Sequence, residues 1–227
     1  MSAGFRLDIV YAIRGRLAYL SHLETVEAMR RIVRRAQLPY AVSEGFSPHM
    51  KATFGPALPV GASGEGEHFD VVLTDYVPAD EALARLQAAA PANLVPLSCT
   101  YTELRGPALD VAFPISKWRA EFAAGLDAER TLENLRAAFD ALLSVGYLEV
   151  VKRKRGKVTS KRVVFAEKIV ELPVFFFWDG RVCMTFATCQ DASGALRPDL
   201  FIDAALEGAD EPAELVALVR TELVSED

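Results

Sequence analysis

The sequence predicts a two-domain α+β protein. Its 227 residues exceed the size of a typical single domain, so two domains of roughly 100 residues are expected. Segments that alternate like β-strands are interspersed with segments of helical periodicity in both halves of the chain. In the first half their order, βαββαβ or close to it, is that of the split-βαβ or ferredoxin-like fold. The second half follows a similar order, which predicts a second α+β domain that is a candidate diverged duplicate of the first.

The first half begins with a strand and a capped helix. Residues 5–13 alternate apolar and polar side chains, as a half-buried strand does. Ser21 and Glu24 form a capping box, which predicts a helix that begins at Ser21 and ends before Pro39. The other expected elements are two short strands around a loop within 39–61, a glycine-rich mobile loop at 61–66, a strand at 68–73, a helix at 78–90 and a strand at 94–102.

A linker at 104–107 is predicted to separate the domains, because Gly106 and Pro107 interrupt regular structure there. The predicted domains are residues 1–104 and 107–227. In the second, Gly146 is expected to close a helix, and the Asp179-Gly180 turn predicts a hairpin. The expected elements are strands at 109–113, 147–151, 162–174 and 181–189, and helices at 132–145, 198–206 and 212–224.

The sequence predicts a soluble, cytoplasmic protein that does not contact membranes. No apolar segment of the signal-peptide type is present near the N-terminus. The most apolar run, residues 172–178, is too short to span a bilayer. The three cysteines, Cys99, Cys183 and Cys189, are sparse and odd in number, which argues against a disulfide framework and fits a reducing compartment.

No sequence motif indicates a metal, a cluster or a nucleophile. The cysteines lack the close spacing that holds a [4Fe–4S] cluster with an open iron. His22, His49 and His68 show neither HExxH nor paired CxxC spacing, and no Walker A, GxGxxG or GxSxG motif is present. The sequence therefore predicts no metal and no cofactor. It favours a non-enzymatic role and leaves an enzymatic one open.

The stretch around Gly45 is a candidate site for a small anion. Gly45 permits a turn with positive φ, and Pro48 restrains Ser47 to an extended conformation. Ser47, His49 and Lys51 can then converge on a phosphate or a carboxylate. The full predicted ligand pocket consists of Ser21, His22, Arg31, Ser47, His49 and Lys51. The alternative interpretation is a structural loop whose histidine makes one local hydrogen bond.

Two basic clusters are candidate contacts for RNA. Residues 152–162 contain seven Lys or Arg and no acid, and are expected to form the exposed tip of a hairpin that attracts phosphates. The sheets of some ferredoxin-like domains bind RNA through aromatic side chains, and Phe5 and Tyr11 lie on such a strand, although five alternating apolar residues more often form a core. The predicted RNA contacts are Arg30, Arg34, Lys152, Arg153, Lys154, Arg155, Lys157, Lys161 and Arg162. The alternative is a solvated edge that discourages sheet aggregation. DNA is not expected as a partner.

Several of these residues belong to an ordered set of motifs. The set comprises Tyr19-Leu20-Ser21-His22-Leu23-Glu24, Arg30-Arg31, Arg34-Arg35-Ala36, Leu38-Pro39, Gly45-Phe46-Ser47-Pro48-His49, Leu58-Pro59-Val60-Gly61, Glu67 and Gly194-Ala195-Leu196-Arg197-Pro198-Asp199. In this order it resembles the radical-SAM-linked family of unknown function, whose members are free-standing or fused to the C-terminus of a radical SAM protein. Glu24 stands where the family motif has Asp, a difference that the capping role tolerates.

The resemblance implies a class of partner rather than a reaction, and three hypotheses follow. The first is an accessory or substrate-presenting module for a radical SAM enzyme, in the modification of RNA or of a ribosome-related target. The second is an independent enzyme or binding protein for a small anionic ligand, using His22, His49 and Lys51. The third is a stand-alone RNA-binding protein. We expect His22 and His49 to lie close together, and the N-terminus of the first helix to lower the pKa of His22.

Overall fold

The computed structural model of the chain describes residues 4–125, 127–154, 157–209, 211 and 213–225, without the side chains of 152–157. It confirms the α+β class, since helices accompany strands that pair mostly antiparallel. The chain forms two compact units. Unit 1 contains the residues up to Phe113 together with those from Arg220 onward, and unit 2 is Pro114–Val219. No helix in the described ranges is both long enough and apolar enough to cross a membrane.

Unit 1 is built around its first strand. Its elements are β1 (Phe5–Ile13), a 3-10 helix (Gly15–Tyr19), α1 (His22–Arg35), β2 (Ala52–Phe54), β3 (Ser63–Leu73), α2 (Ala79–Ala89), β4 (Leu94–Thr102) and α3 (Leu109–Ala112). β1 pairs antiparallel with β3 on one side and with β4 on the other, and β2 pairs antiparallel with β3. The ferredoxin-like assignment of this unit stays a prediction.

Alternation along β1 and β3 places one face of the unit 1 sheet in an apolar core. Leu7 and Ile9 of β1 and Phe69 of β3 are fully buried there, packed with Met29 of α1 and Leu86 of α2. The capping box predicted at the start of α1 is present: the Ser21 hydroxyl accepts from the Glu24 amide, and the Glu24 carboxylate accepts from the Ser21 amide at 2.8 Å. On β1 and β3, the residues that alternate with the core positions direct polar side chains to the opposite face of the sheet.

Unit 2 carries the second sheet region and a separate hairpin. Its elements are β5 (Ile115–Ala123), α4 (Ala128–Val145), β6 (Tyr147–Lys154), β7 (Lys157–Val164), α5 (Phe165–Lys168), β8 (Ile169–Trp178), β9 (Arg181–Asp191), β10 (Gly194–Ala195), α6 (Pro198–Glu207) and the first half of β11 (Leu215–Val224). β9 pairs antiparallel with β5, β8 and β10. β6 and β7 pair only with each other among the described strands.

Aromatic rings hold the helices of unit 2 against its strands. The Phe201 ring of α6 lies 5.2 Å from Phe139 of α4, 5.5 Å from Phe165 and 5.7 Å from Phe186 of β9, measured between ring centroids. These distances and their tilted or edge-to-face angles are the favoured geometry for aromatic pairs. The buried Trp118 indole donates to the Thr188 hydroxyl at 3.0 Å, so its polar N–H is satisfied inside the core.

The C-terminal segment is a strand, and the predicted helix at 212–224 is wrong. Its apolar spacing fits a helix, but Val216, Val219, Thr221 and Val224 are β-branched and favour a strand. Neighbouring strands β5 and β3 supply the ladder partners that a single sequence cannot reveal.

Three other predicted elements differ from the structure. The predicted strand at 109–113 is the single helical turn α3, because apolar residues three apart fit a turn as well as a strand. The predicted mobile loop at 61–66 overlaps the start of β3, where a Cβ on Gly64 would lie 2.5 Å from the Glu67 carboxylate. The predicted strand at 162–174 is interrupted by α5, and β5 is absent from the prediction.

A buried ion pair anchors the returning chain in unit 1. Arg220 of β11 is 1% exposed and Glu67 of β3 is 3% exposed. The Arg220 Nε donates to Glu67 Oε1 at 2.9 Å, and its Nη2 donates to Glu67 Oε2 and to the Pro56 carbonyl. A guanidinium held at both carboxylate oxygens is the strongest form of this interaction. It satisfies two charges that would otherwise be very costly to bury.

We expect loss of either partner to destabilise the protein far more than loss of both. Arg220→Met or Glu67→Leu leaves one uncompensated buried charge, which costs about 3–5 kcal/mol of unfolding free energy. The Arg220→Met/Glu67→Leu double variant should recover most of that loss in urea denaturation. Arg34→Met, which removes an exposed guanidinium of α1, is the matched control and should change stability by less than about 0.5 kcal/mol. If the double variant lost as much unfolding free energy as the two single variants together, the ion-pair explanation would be wrong.

Candidate functional site

The first cavity of unit 1 lies where α1 begins beside β1 and β3. It is lined by polar groups of Tyr11, His22, Thr25, Glu67 and His68. Its volume of about 20 Å³ is enough for one water molecule and too small for an organic ligand. Burial and the nearby Glu67 carboxylate raise the pKa of the Tyr11 phenol well above its usual range, so Tyr11 stays protonated. This is a water-sized polar cavity within the fold.

His22 lies at the rim of this cavity, and its pKa is lowered. Burial is the main cause, and the Arg220 guanidinium is the second. The direction is the one that its place at the N-terminus of α1 predicts, although the causes are different. The imidazole also contacts the Phe54 ring edge-on, with 6.3 Å between the ring centroids. His22 is therefore neutral at pH 7.

The motifs that carry the family resemblance converge on this cavity. Leu20 and His22 from one motif, Leu58 from a second and the separate residue Glu67 all line it. The neighbouring Ser21 does not, because its hydroxyl donates to the Glu24 carboxylate at 2.7 Å and serves as the helix cap. These motif positions therefore have a structural place in this chain, next to the buried Glu67.

A larger groove opens on the polar face of the unit 1 sheet. Its volume is about 440 Å³, and its polar lining comes from Arg6, His49, Lys51, Thr53 and Asp70. Two residues of the predicted ligand pocket, His49 and Lys51, therefore share one cavity.

The structure divides the rest of the predicted pocket. His22 lines the water-sized cavity, whereas His49 and Lys51 line the groove. Arg31 is exposed on α1, and Ser47 is exposed in its loop. Neither lines either cavity. The register of the strands determines which residues line which cavity. The spacing of the motifs along the chain does not predict it.

The loop at 43–49 is closed by hydrogen bonds between its first and last residues. The Ser43 amide donates to the His49 carbonyl at 2.8 Å, and the His49 amide donates to the Ser43 hydroxyl at 3.0 Å. The His49 Nδ1 lies 2.9 Å from that hydroxyl and 3.2 Å from the Ser47 carbonyl, so the ring is fixed through Nδ1. Gly45 has a φ of 127°, as predicted, and Phe46 at the tip is fully exposed.

An ion pair and a second polar contact cross the polar face of the unit 1 sheet. Arg6 of β1 donates to Asp70 of β3 at 2.7 Å and forms an ion pair with it, whereas His68 Nδ1 lies at hydrogen-bond distance, 3.0 Å, from Asp8. Alternation alone identifies these side chains as facing away from the core, but only the ladder shows that Asp8 stands opposite Asp70. The Phe113 ring covers His68 at a centroid distance of 4.2 Å. Among the described residues, no group of three or more His, Cys, Asp or Glu is placed to hold a metal ion.

The described part of the basic hairpin has intramolecular contacts. Lys161 donates to the Ser193 carbonyl, and the Arg162 guanidinium lies 4.6 Å from the centre of the Tyr147 ring. The side chains of Lys152, Arg153, Lys154, Arg155 and Lys157 fall outside the described residues. Their backbone ladder is described up to the pair formed by residues 154 and 157.

The remaining predicted RNA contacts lie in unit 1. Arg30 donates to Glu27 at 2.7 Å, and Arg34 is exposed on α1. Phe5 and Tyr11 pack against or within the apolar core, so they do not form a stacking platform on the sheet. Of the two interpretations of the alternating residues of β1, the apolar core is the one that the structure shows.

An exposed apolar strip runs along β8. Alternate side chains of this strand are all apolar and are each between 36% and 66% exposed: Val170, Leu172, Val174, Phe176 and Trp178. We call these five residues the β8 strip. β8 pairs with β9 on one side, and no described strand covers its other edge. The Arg119 guanidinium lies 5.3 Å from the centre of the Trp178 ring.

The sequence obscures the strip, because three of the four residues between its members, Pro173, Phe175 and Phe177, are apolar as well. Phe175 belongs to the other face of β8, where its ring meets Phe139 of α4 at 5.5 Å. Phe175 is partly buried by this contact, whereas the neighbouring apolar side chains Phe176 and Phe177 are exposed. Only the packing of α4 shows which side chains of β8 are covered and which are exposed.

We expect His22 to titrate below the usual imidazole pKa of about 6.5. Because its folded-state pKa is lowered, its contribution to stability is present at neutral pH and is lost as the pH falls below the unfolded value. NMR titration of the ring protons measures this midpoint, with the His22→Gln variant identifying the signal. A midpoint at or above that of the urea-unfolded protein would contradict the burial beside Arg220.

The chain was compared with known protein families and with curated proteins. No curated protein sequence matches it. A family model described as an uncharacterized protein conserved in bacteria (DUF2344) matches residues 6–198. The match takes in the water-sized cavity, the groove, the β8 strip and the motif that begins at Gly194. The chain belongs to the DUF2344 family of uncharacterized bacterial proteins.

Proposed function

We propose that this protein is an accessory, substrate-presenting module for a radical SAM enzyme, which it contacts through the β8 strip. The observation that carries the proposal is the exposed apolar strip on an uncovered strand edge. The class of partner follows from the resemblance of the motifs to the radical-SAM-linked family. RNA or a ribosome-related particle is the proposed substrate.

The composition of the strip supports contact with a protein. Contiguous exposed apolar side chains on a soluble protein are typical of interaction surfaces. Trp178, with the Arg119 guanidinium over its ring, and Phe176 are the residue types that dominate binding energy at the centres of interfaces. Val170, Leu172 and Val174 have neither a π-face for a base nor a charge for a phosphate. The strip therefore favours a protein partner over a nucleic acid.

The geometry of β8 also limits how a partner can bind. An uncovered edge can accept a strand from another protein. Pro173 lacks an N–H donor, and the pairing with β9 shifts register between Glu171 and Val174. Residues 174–178 form the regular part of the edge. We propose that the partner adds a strand along 174–178 and packs apolar side chains on the β8 strip.

The basic hairpin is the proposed contact for the RNA-related substrate. β6 and β7 form an independent two-stranded ladder, and residues 152–162 between and within them contain seven cations without an acid. Such a cluster attracts phosphates and releases counterions when it binds them. The alternative role in binding a small anionic ligand has its own support in the groove lined by His49 and Lys51. His22 has no part in that alternative, because it lines the other cavity.

We expect Trp178→Ala to weaken binding to the purified radical SAM protein of the host bacterium by about 30-fold or more, the effect of a hot-spot residue. Trp178→Phe should lose less, because it keeps an aromatic ring. Val216→Ala, which shortens an exposed valine of β11, is the matched control. Isothermal titration calorimetry gives the affinities, and urea denaturation shows that the variants remain folded.

If Trp178→Ala and the wild type bound the radical SAM protein with equal affinity, the proposal that the β8 strip is the contact surface would be wrong. Failure of the wild-type protein to bind any radical SAM protein of that bacterium would overturn the function. A dimer that sediments as a monomer after Trp178→Ala would show instead that the strip joins two copies of this chain.

We expect the Lys152→Ser/Arg153→Ser/Lys154→Ser variant to bind single-stranded RNA more weakly and with a salt slope flatter by about two units, near 0.7 for each lost phosphate contact. The charge-matched control is Arg14→Ser/Arg16→Ser/Arg105→Ser, which removes three exposed cations from unit 1. Fluorescence anisotropy at several salt concentrations measures both slopes. Equal flattening in the two variants would indicate non-specific attraction and refute a dedicated hairpin site.

A further inference from the structure

The groove on the polar face of unit 1 contains a buried carboxylate oxygen without a partner. Asp70 is 2% exposed. Its Oδ2 accepts from Arg6 Nε at 2.7 Å, from Arg6 Nη2 and from the Thr53 hydroxyl at 3.2 Å. Its Oδ1 has no hydrogen-bond donor among the described residues. Buried polar atoms of this kind are almost always satisfied in native proteins, so a donor from outside the chain is expected.

The neighbouring side chains cannot supply that donor. Arg6 directs both nitrogens that reach Asp70 to the same oxygen, Oδ2. Asp8, which stands opposite Asp70 in the ladder, offers only acceptors and is engaged by His68. Burial and the charge of Asp8 raise the pKa of Asp70, while the contacts with Arg6 and Thr53 lower it. Oδ1 is therefore available to an N–H or O–H group of a ligand.

Cationic groups line the same groove. The backbone of Lys51 is fixed between two strands, because its N–H donates to the Ala41 carbonyl and its carbonyl accepts from the Val72 amide. His49 is held through Nδ1 by Ser43 and Ser47, which leaves Nε2 as the free nitrogen of the ring. An ammonium beside an imidazole is a suitable site for a phosphate.

The walls of the groove are largely apolar and are held in place by Arg6. Leu104 and Pro107 line one side. Arg6 Nη2 donates to the Pro107 carbonyl at 2.8 Å, and a Cβ on Gly106 would lie 2.8 Å from Arg6 Nη1. A side chain at position 106 would therefore require the Arg6 guanidinium to shift. The same segment also walls a second cavity of about 270 Å³ on the other side of the Arg6–Asp70 pair.

We propose that the groove binds a mononucleotide, with its phosphate at Lys51 and His49 and a base N–H donated to Asp70 Oδ1. The volume of about 440 Å³ is in the range of pockets for organic ligands and exceeds what a bare anion requires. The apolar wall at Leu104 and Pro107 suits the face of a planar base. Guanine is the best match, because its adjacent N1–H and N2–H groups can both reach an oxygen with two free lone pairs.

This inference goes beyond the accessory function and does not depend on the β8 strip. A mononucleotide can be a free metabolite or the phosphorylated end of an RNA, and the two share the chemistry that the groove recognises. Trp178→Ala should leave nucleotide binding unchanged, so failure of the enzyme contact and failure of the groove are distinguishable.

The test is calorimetric titration of the full chain with GMP. We expect GMP to bind at least tenfold more tightly than guanosine, which lacks the phosphate, and than 1-methyl-GMP, which lacks the N1–H donor. Lys51→Met should weaken GMP binding at least tenfold. Arg31→Met, which removes an exposed cation of α1 outside the groove, should not change it. The comparison of ligands uses the wild-type protein, so it remains decisive if Asp70 variants fail to fold.

Competition separates the two sources of the ligand. An RNA with a 5′-terminal guanosine phosphate that displaces GMP, while its 5′-hydroxyl counterpart does not, identifies an RNA end as the natural ligand. No displacement by either RNA identifies the free nucleotide. Equal affinity for GMP, guanosine and 1-methyl-GMP, or no binding of GMP at millimolar concentration, would overturn the proposal.

Discussion

Arg220 and Glu67 form a bidentate ion pair inside unit 1, and the arrangement of that unit depends on it. The pair ties the returning C-terminal segment to β3 and to the loop that contains Pro56. Glu67 lines the water-sized cavity, and the Arg220 charge adds to burial, the main cause, in lowering the pKa of His22. Burying two charges is tolerable only when each satisfies the other. Gly64 leaves space for the Glu67 carboxylate, so the glycine-rich stretch that precedes Glu67 helps to accommodate the ion pair.

The other face of the unit 1 sheet has a different physical character. The Arg6–Asp70 ion pair leaves one oxygen of Asp70 without a hydrogen-bond donor among the described residues. Arg6 holds both this carboxylate and the segment around Pro107, so the groove is rigid before anything enters it. Preorganisation of this kind reduces the entropy lost on binding. The buried Glu67–Arg220 pair serves folding, and the Arg6–Asp70 pair leaves a position for a ligand.

Unit 2 carries the features that suit larger partners. The β8 strip exposes apolar side chains that water solvates poorly, and the basic hairpin concentrates positive charge on a separate ladder. In the proposed function, the first surface contacts the enzyme and the second contacts a polyanionic substrate. The DUF2344 family is uncharacterized, so membership of it does not indicate a reaction. The proposed contacts with an enzyme and with RNA therefore depend on the physical properties of these two surfaces.

The sequence by itself determined the local elements whose signals lie within a few residues. The alternation of β1, the capping box of α1, the left-handed Gly146 that ends α4 and the turn at Asp179 and Gly180 are all present as predicted. Tertiary structure alone decided what depends on partners distant in the chain. It made a strand of β11, because β3 and β5 pair with it. It placed His22 and His49 in the linings of different cavities, and Asp70 and Lys51 in the lining of the same groove. The register of paired strands and the burial of side chains depend on contacts between distant segments. The spacing of residues within one segment therefore does not determine them.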